Sequence, residues 1–231
     1  MTKEFKALWH SLGRRYQSHP WHGINIGEEA PETIMSFIEM TPSDTVKYEI
    51  DKESGFIKVD RPQKFSNIVP ALYGFVPQTY CDHQVAEYCM EKSGKQGIEG
   101  DGDPLDILVL TDRNITQGNI IVPAIPIGGF RMIDDNEADD KIIAVLKGDQ
   151  MYAGINEITD CPETIINRLK HYFLTYKNIP GEEKNKVEID AIYGKDEAIE
   201  VIKRSMADYD NVYGNIETEM SKATIDLINA Q

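Results

Sequence analysis

The cleanest alternation of apolar and polar positions lies between Thr45 and Asp51, where Val46, Tyr48 and Ile50 fall on one face and Lys47 and Glu49 on the other. That period of two predicts a half-buried strand. Lys52 to Gly55 then carries turn residues ahead of a second strand, Phe56 to Asp60, so the two are expected to form a hairpin. Short apolar runs at Phe37–Met40, Ile107–Leu110, Ile120–Ile127, Phe130–Ile133, Lys141–Leu146 and Val187–Tyr193 predict further strands, with Gly128 and Gly129 marking a bend or bulge. The period changes at Asp160. Ile165, Leu169, Tyr172, Phe173 and Tyr176 form a helical stripe over 160–177, with Asp160 and Glu163 as a capping box, Pro162 in the first turn, and Asn178, Pro180 and Gly181 as the stop. Helices are also expected over 84–91, 195–207 and 216–230. Short strands followed by helices imply an α+β domain whose sheet is mostly antiparallel.

The chain of 231 residues is long enough for one sizeable core, and no repeat or linker divides it. Residues 1–30 read as an N-terminal arm, rich in aromatics and histidines (Trp9, His10, Tyr16, His19, Trp21, His22), that packs over a single domain spanning 31–231. No apolar run reaches the length of a membrane span, and Met1 to Arg15 lacks the apolar core of a signal peptide, so the cytoplasm is the expected compartment. Cys81, Cys89 and Cys161 fit free thiols in a reducing compartment; a zinc site built on Cys81, His83 and Cys89 would lack a fourth ligand. The formal net charge of -15 argues against nucleic acid and anionic membranes as partners. It does not exclude a small anionic substrate, because charges beyond about 8 Å are largely screened at physiological salt.

The densest chemistry sits at Gly100, Asp101, Gly102, Asp103, Pro104, Leu105 and Asp106, directly ahead of the apolar run Ile107–Leu110. Two glycines remove side-chain bulk, a proline stiffens the backbone, and three carboxylates arrive on a loop anchored to a buried strand. An acidic surface turn is the simple alternative. Such a cluster otherwise calls for a hard cation held by oxygen, magnesium or calcium. An EF-hand fails directly: counted from Asp134 the sixth position is Asp139 where glycine is required, and counted from Asp101 the fifth is Leu105.

The run Asp-Gly-Asp-Pro-Leu-Asp resembles the signature of the soluble family I inorganic pyrophosphatases, and independent segments agree with it. Pro70, Tyr73 and Gly74 match that family's Pro-x-x-Tyr-Gly segment; Asp134, Asp139 and Lys141 match its second acidic spacing; Tyr176 and Lys177 match its Tyr-Lys pair. The resemblance covers about Pro31 to Tyr193. It implies a five-stranded OB-like barrel with helices outside, a homo-oligomer, and magnesium-dependent hydrolysis of pyrophosphate to two phosphates by a metal-bridged hydroxide attacking phosphorus in line. By the same resemblance Asp101, Asp106 and Asp139 hold the metals, with Asp134 and Glu39 completing the acidic wall. Asp103 is the base, Tyr73 belongs to the catalytic and phosphate-contacting groups, Lys47, Arg61, Lys141, Tyr176 and Lys177 bind phosphate, and Glu49 supports the acidic shell. Val69 stands where well-known bacterial members carry a second tyrosine, and 81–99 is longer than in the short bacterial members, which implies a surface insertion. A non-catalytic calcium module and a phosphohydrolase acting on nucleotides or polyphosphate are the alternatives; no Walker loop supports the latter.

Overall fold

A computed structural model describes residues 17–177 and 187–214, with 222, 225 and 226 besides. Most of the expected helix over 216–230 and of the N-terminal arm, Trp9 and His10 included, lies outside the described residues, as do the helix-stop residues Asn178, Pro180 and Gly181.

The strands run in order as β1 (Ile34–Met40), β2 (Val46–Ile50), β3 (Ile57–Pro62), β4 (Leu72–Phe75), β5 (Glu99–Gly100), β6 (Asp106–Leu110), β7 (Ile120–Asp134), β8 (Glu137–Ala138), β9 (Lys141–Leu146) and β10 (Val187–Gly194). Among the described residues three α-helices accompany them: α1 (His83–Ser93), α2 (Glu163–Thr175) and α3 (Lys195–Tyr213). The result is an α+β domain with a mixed eight-stranded sheet and a separate β2–β3 hairpin. Pairing passes from β1 to β4, β6, β9 and β7, and β7 pairs again with β1. Within this circuit only β6 and β9 run parallel. Apolar side chains inside it, Ile34, Ile38, Ile107 and Ile142 among them, have no exposed surface.

Two strands expected over 120–127 and 130–133 are one, β7, which pairs with β1, β9, β8 and β10 along its length. Gly128 and Gly129 kink it without ending it: the register shifts between Pro126 and Gly128, and a Cβ on Gly128 would stand 2.4 Å from the Tyr193 carbonyl oxygen. A bulge bends a strand while ladder bonds continue on either side. Gly74 has a similar steric reason, since its Cβ would lie 1.9 Å from the Phe37 carbonyl oxygen and drive β4 away from β1.

The α2 helix starts later than its pattern predicts. Asp160 does not cap it; its carboxylate closes a capping box with Glu157 around a short 3-10 turn at Ile158–Asp160, and α2 begins after Pro162. Ile166, Leu169, Tyr172 and Phe173 are its buried face. In segment 81–99, α1 buries Val85, Ala86, Tyr88 and Cys89. Its own N-cap residue, Asp82, makes no side-chain cap bond. Instead Asp208 of α3, 2% exposed, accepts hydrogen bonds from the backbone N–H groups of Asp82, Gln84 and Val85 at 3.0–3.1 Å. A carboxylate there meets unpaired N–H groups and the positive end of the helix dipole together. His83 is exposed while Cys81 and Cys89 are buried, so those three do not face one site. Trp21 is buried, donates to the Thr79 carbonyl oxygen at 2.7 Å and stacks on His22.

Candidate active site

The acidic loop is held by its backbone. The Gly102 N–H donates to the Cys81 carbonyl at 3.0 Å, Cys81 N–H donates to the Asp103 carbonyl at 2.8 Å, and Asp103 N–H donates to Asp101 Oδ1 at 2.9 Å. Gly102 adopts φ +69°, a left-handed conformation open to glycine at little cost. Gly100 is needed for close approach, because a Cβ there would sit 2.4 Å from the Cys81 carbonyl oxygen. Asp106 then opens β6, in register with Phe75 on β4 and Lys141 on β9.

That register gathers the chemistry. A solvent-open cleft of about 860 Å³ is lined by Glu39, Lys47, Glu49, Arg61, Tyr73, Asp101, Asp103, Asp106, Asp134, Asp139, Lys141, Tyr176 and Lys177. These are all thirteen residues singled out from the sequence. The β2–β3 hairpin supplies Lys47, Glu49 and Arg61, strand ends supply Glu39, Tyr73, Asp106, Asp134 and Lys141, and the end of α2 leads into Tyr176 and Lys177. Lys52 and Glu137 line the same cleft and had no motif to announce them. Lys52 is ion-paired with Asp103. A turn lysine reads as solvated until the fold brings the acidic loop beside it. Val69 is fully buried, so its side chain fills core where a tyrosine hydroxyl is absent.

Electrostatics inside the cleft are tense. Burial pushes Glu39 up to about 8, although its Oε1 accepts the Ile50 N–H at 2.6 Å. Burial and the neighbouring Asp139 charge push Asp101 well up, and burial likewise raises Asp139. For Lys141, 3% exposed, burial works against its charge, yet Asp106 and Asp139, both ion-paired with it, outweigh burial and raise its pKa well above the ordinary value. Lys177 pairs with Asp134, and Lys47 with Glu49 at 3.1 Å and Asp60 at 3.3 Å. The Arg61 guanidinium lies 5.9 Å from the Tyr176 ring centre.

Among the described residues no three His, Cys, Asp or Glu side chains are gathered closely enough to hold a metal ion as they stand. The donor set nevertheless fits magnesium. It is all oxygen, it lines one cleft, and three of its members, Glu39, Asp101 and Asp139, are held back from ionising by burial and neighbouring carboxylates, a situation that a divalent cation relieves. Asp101, Asp106 and Asp139 could hold such an ion after Lys141 shifts from between the last two.

Comparison with known proteins agrees with this geometry. Residues 36–210 match the family model described as inorganic pyrophosphatase. The chain is 52% identical over 200 residues to an inorganic pyrophosphatase of Chlamydia trachomatis, covering 85% of this chain and 96% of that one. It is 38% identical over 197 residues to a soluble inorganic pyrophosphatase of Zea mays, covering 85% and 82%. The crystal structure of inorganic pyrophosphatase from Thermus thermophilus superposes with a TM-score of 0.69 at 29% identity, covering 83% of this chain and 98% of that one. Fold, cleft and sequence therefore lead to one assignment: the chain belongs to the family I soluble inorganic pyrophosphatases and is an inorganic diphosphatase.

Proposed function

We propose that this enzyme hydrolyses inorganic pyrophosphate to two phosphates with magnesium as its cofactor. The observation that carries the reading is the single cleft in which an acidic wall, Glu39, Asp101, Asp106, Asp134 and Asp139, faces a basic one, Lys47, Arg61, Lys141 and Lys177. Such a division suits a polyanion delivered with hard cations. Asp101, Asp106 and Asp139 would hold magnesium, which when bound would neutralise phosphate charge and acidify a water suited to in-line attack on phosphorus. Asp134 and Glu39 would complete the acidic wall around those ligands.

The chain's own groups do the rest. Asp103 accepts the proton of the attacking water, with Lys52 orienting its carboxylate. Arg61 presents a planar fork to two phosphate oxygens, and Lys47, Lys141 and Lys177 place point charges around the others. Tyr73 and Tyr176 donate phenolic hydroxyls, and Glu49 holds Lys47 in place. The five-strand circuit is read as the family's small OB-like barrel, the cleft lying at its mouth. The arm over 1–30 and the insertion over 81–99 flank one catalytic domain. No helix among the described residues is long and apolar enough to cross a membrane. The same reading places the enzyme in the cytoplasm as a homo-oligomer, with neither nucleic acid nor membrane as a partner.

Phosphate release is the test. Pyrophosphate with magnesium should yield two phosphates per molecule, ATP under the same conditions should yield far less, chelation should abolish release and added magnesium restore it. Calcium should inhibit, being larger and less strictly octahedral. Full turnover in metal-free buffer would overturn the magnesium assignment, and equal release from ATP would overturn the substrate.

A further inference from the structure

A second concavity, of about 720 Å³, lies on another face of the domain and shares no lining residue with the cleft. Its lining is mixed, polar groups standing beside Leu72, Leu110, Ile115, Tyr152, Ile165 and Leu169, of which Ile115, Tyr152 and Ile165 are the partly exposed ones. Two arginines, Arg113 and Arg168, line it, and no Asp or Glu does. In a chain with 39 acidic residues against 24 basic ones that composition is unusual. Among the described arginines these two also differ from the rest. Arg61, Arg131 and Arg204 are each ion-paired, whereas among the described residues neither Arg113 nor Arg168 forms an ion pair.

The rim is built. Asp149, 5% exposed, accepts the Thr111 hydroxyl at 2.5 Å, the Asp112 N–H at 2.8 Å and the Met151 N–H at 3.0 Å. One buried carboxylate thus ties the loop bearing Arg113 to the loop bearing Tyr152, and its oxygens are taken by those bonds. Asp149 therefore steadies the rim; Arg113 is near enough to favour its charge, though the two form no ion pair. Arg168 projects from α2, one residue before Leu169 on the groove wall.

We propose that this groove is a second ligand site, for an organic anion: a phosphate or carboxylate held by Arg113 and Arg168 and carried on an apolar or aromatic body. Guanidinium forks match both anions bidentately, and the partly exposed Ile115, Tyr152 and Ile165 offer apolar surface for the body to cover. Small ligands settle where apolar walls meet a few placed polar groups. The ligand would rest on elements that also serve the cleft. Leu72 precedes Tyr73 on β4, Leu110 ends the strand that Asp106 begins, and Leu169 lies on the helix that leads to Tyr176.

Phenyl phosphate and benzoate, with inorganic phosphate as the control, would be titrated calorimetrically into wild type and into the double variant Arg113→Gln/Arg168→Gln. Both arginines are exposed, so the variant is expected to fold and to hydrolyse pyrophosphate within about twofold of wild type. Saturable binding of at least one aromatic probe, weakened about tenfold or more in the double variant, is the expected result. Inorganic phosphate should bind both proteins alike, through the cleft. The two aromatic probes distinguish a phosphate head from a carboxylate head. The proposal is overturned if neither probe binds saturably, if both proteins bind them equally, or if inorganic phosphate loses as much affinity as the aromatic probes.

Discussion

Tyr73 donates its hydroxyl to Asp106 Oδ2 at 2.6 Å, and the same carboxylate is ion-paired with Lys141. Asp106 is thus shared between a neutral donor and a cation before any ligand arrives. An amide there keeps the shape but offers one weaker acceptor and no charge. Asp106→Asn should therefore lower magnesium affinity and turnover together, as calorimetry beside steady-state rates would show.

Asp103→Asn should behave differently. Its carboxylate is paired with Lys52 at the outer part of the acidic loop, and the amide cannot accept a proton. The loss should sit in turnover, on the order of 10²–10⁴-fold, with magnesium binding near wild type. Parallel loss of metal would make Asp103 a ligand and remove it as the base.

Arg61→Lys keeps charge but replaces a planar fork that lies beside the Tyr176 ring. A point charge cannot span two phosphate oxygens, so KM for pyrophosphate should rise about tenfold or more. Identical saturation curves for variant and wild type would rule out a phosphate clamp.

Asp208 tests how segment 81–99 is held. Removing its carboxylate strands the N–H groups of Asp82, Gln84 and Val85 at the start of α1. Asp208→Ala should cost about 2 kcal/mol, Asp208→Asn less, read from denaturant midpoints at constant m-value. An unchanged midpoint for the alanine variant would show that α1 is capped another way.

Stability should also fall on mild acidification through His22. Burial, helped by neighbouring His19, lowers its pKa from 6.5 to about 4 in the folded state. The unfolded chain then binds the proton more readily, so stability is fully present above about 6.5 and is lost as pH falls toward 4. Discounted for its partial exposure, the effect is about 1 kcal/mol. Wild type should lose that much relative to His22→Asn between neutral pH and the lower end of the window; a constant difference would rule it out.

The cleft was legible in the sequence because its residues sit where short motifs meet strand ends. Asp106 opens β6, Lys141 opens β9 and Asp134 closes β7, so motif and strand pattern reinforced each other. Lys52 escaped notice because a lysine in a turn carries no signal until the loop bearing Asp103 folds against it. Gly128 and Gly129 mark the expected bulge, but the runs on either side read as two strands because only the partner strands show that the ladder continues through it. Asp160 formed its box one turn early, as Glu157 offers an equally short reach. Asp208 lies far from α1 in the chain, and no local pattern can announce a cap from so distant a residue.

The fifteen-residue strand β7 has a kinetic consequence. It pairs Ile34 with Ala124 at one end and Val187 with Asp134 at the other, so it joins segments from both halves of the chain. Contacts of such sequence separation require long loops to close before they are rewarded, which places folding on the slow side for a domain of this size. Asp134 stands at the far end of that strand and reaches the cleft only once β7 is seated. Regain of activity during refolding should therefore lag behind the first burial of tryptophan and follow the last ladder bonds, making turnover itself a reporter of when the sheet is complete.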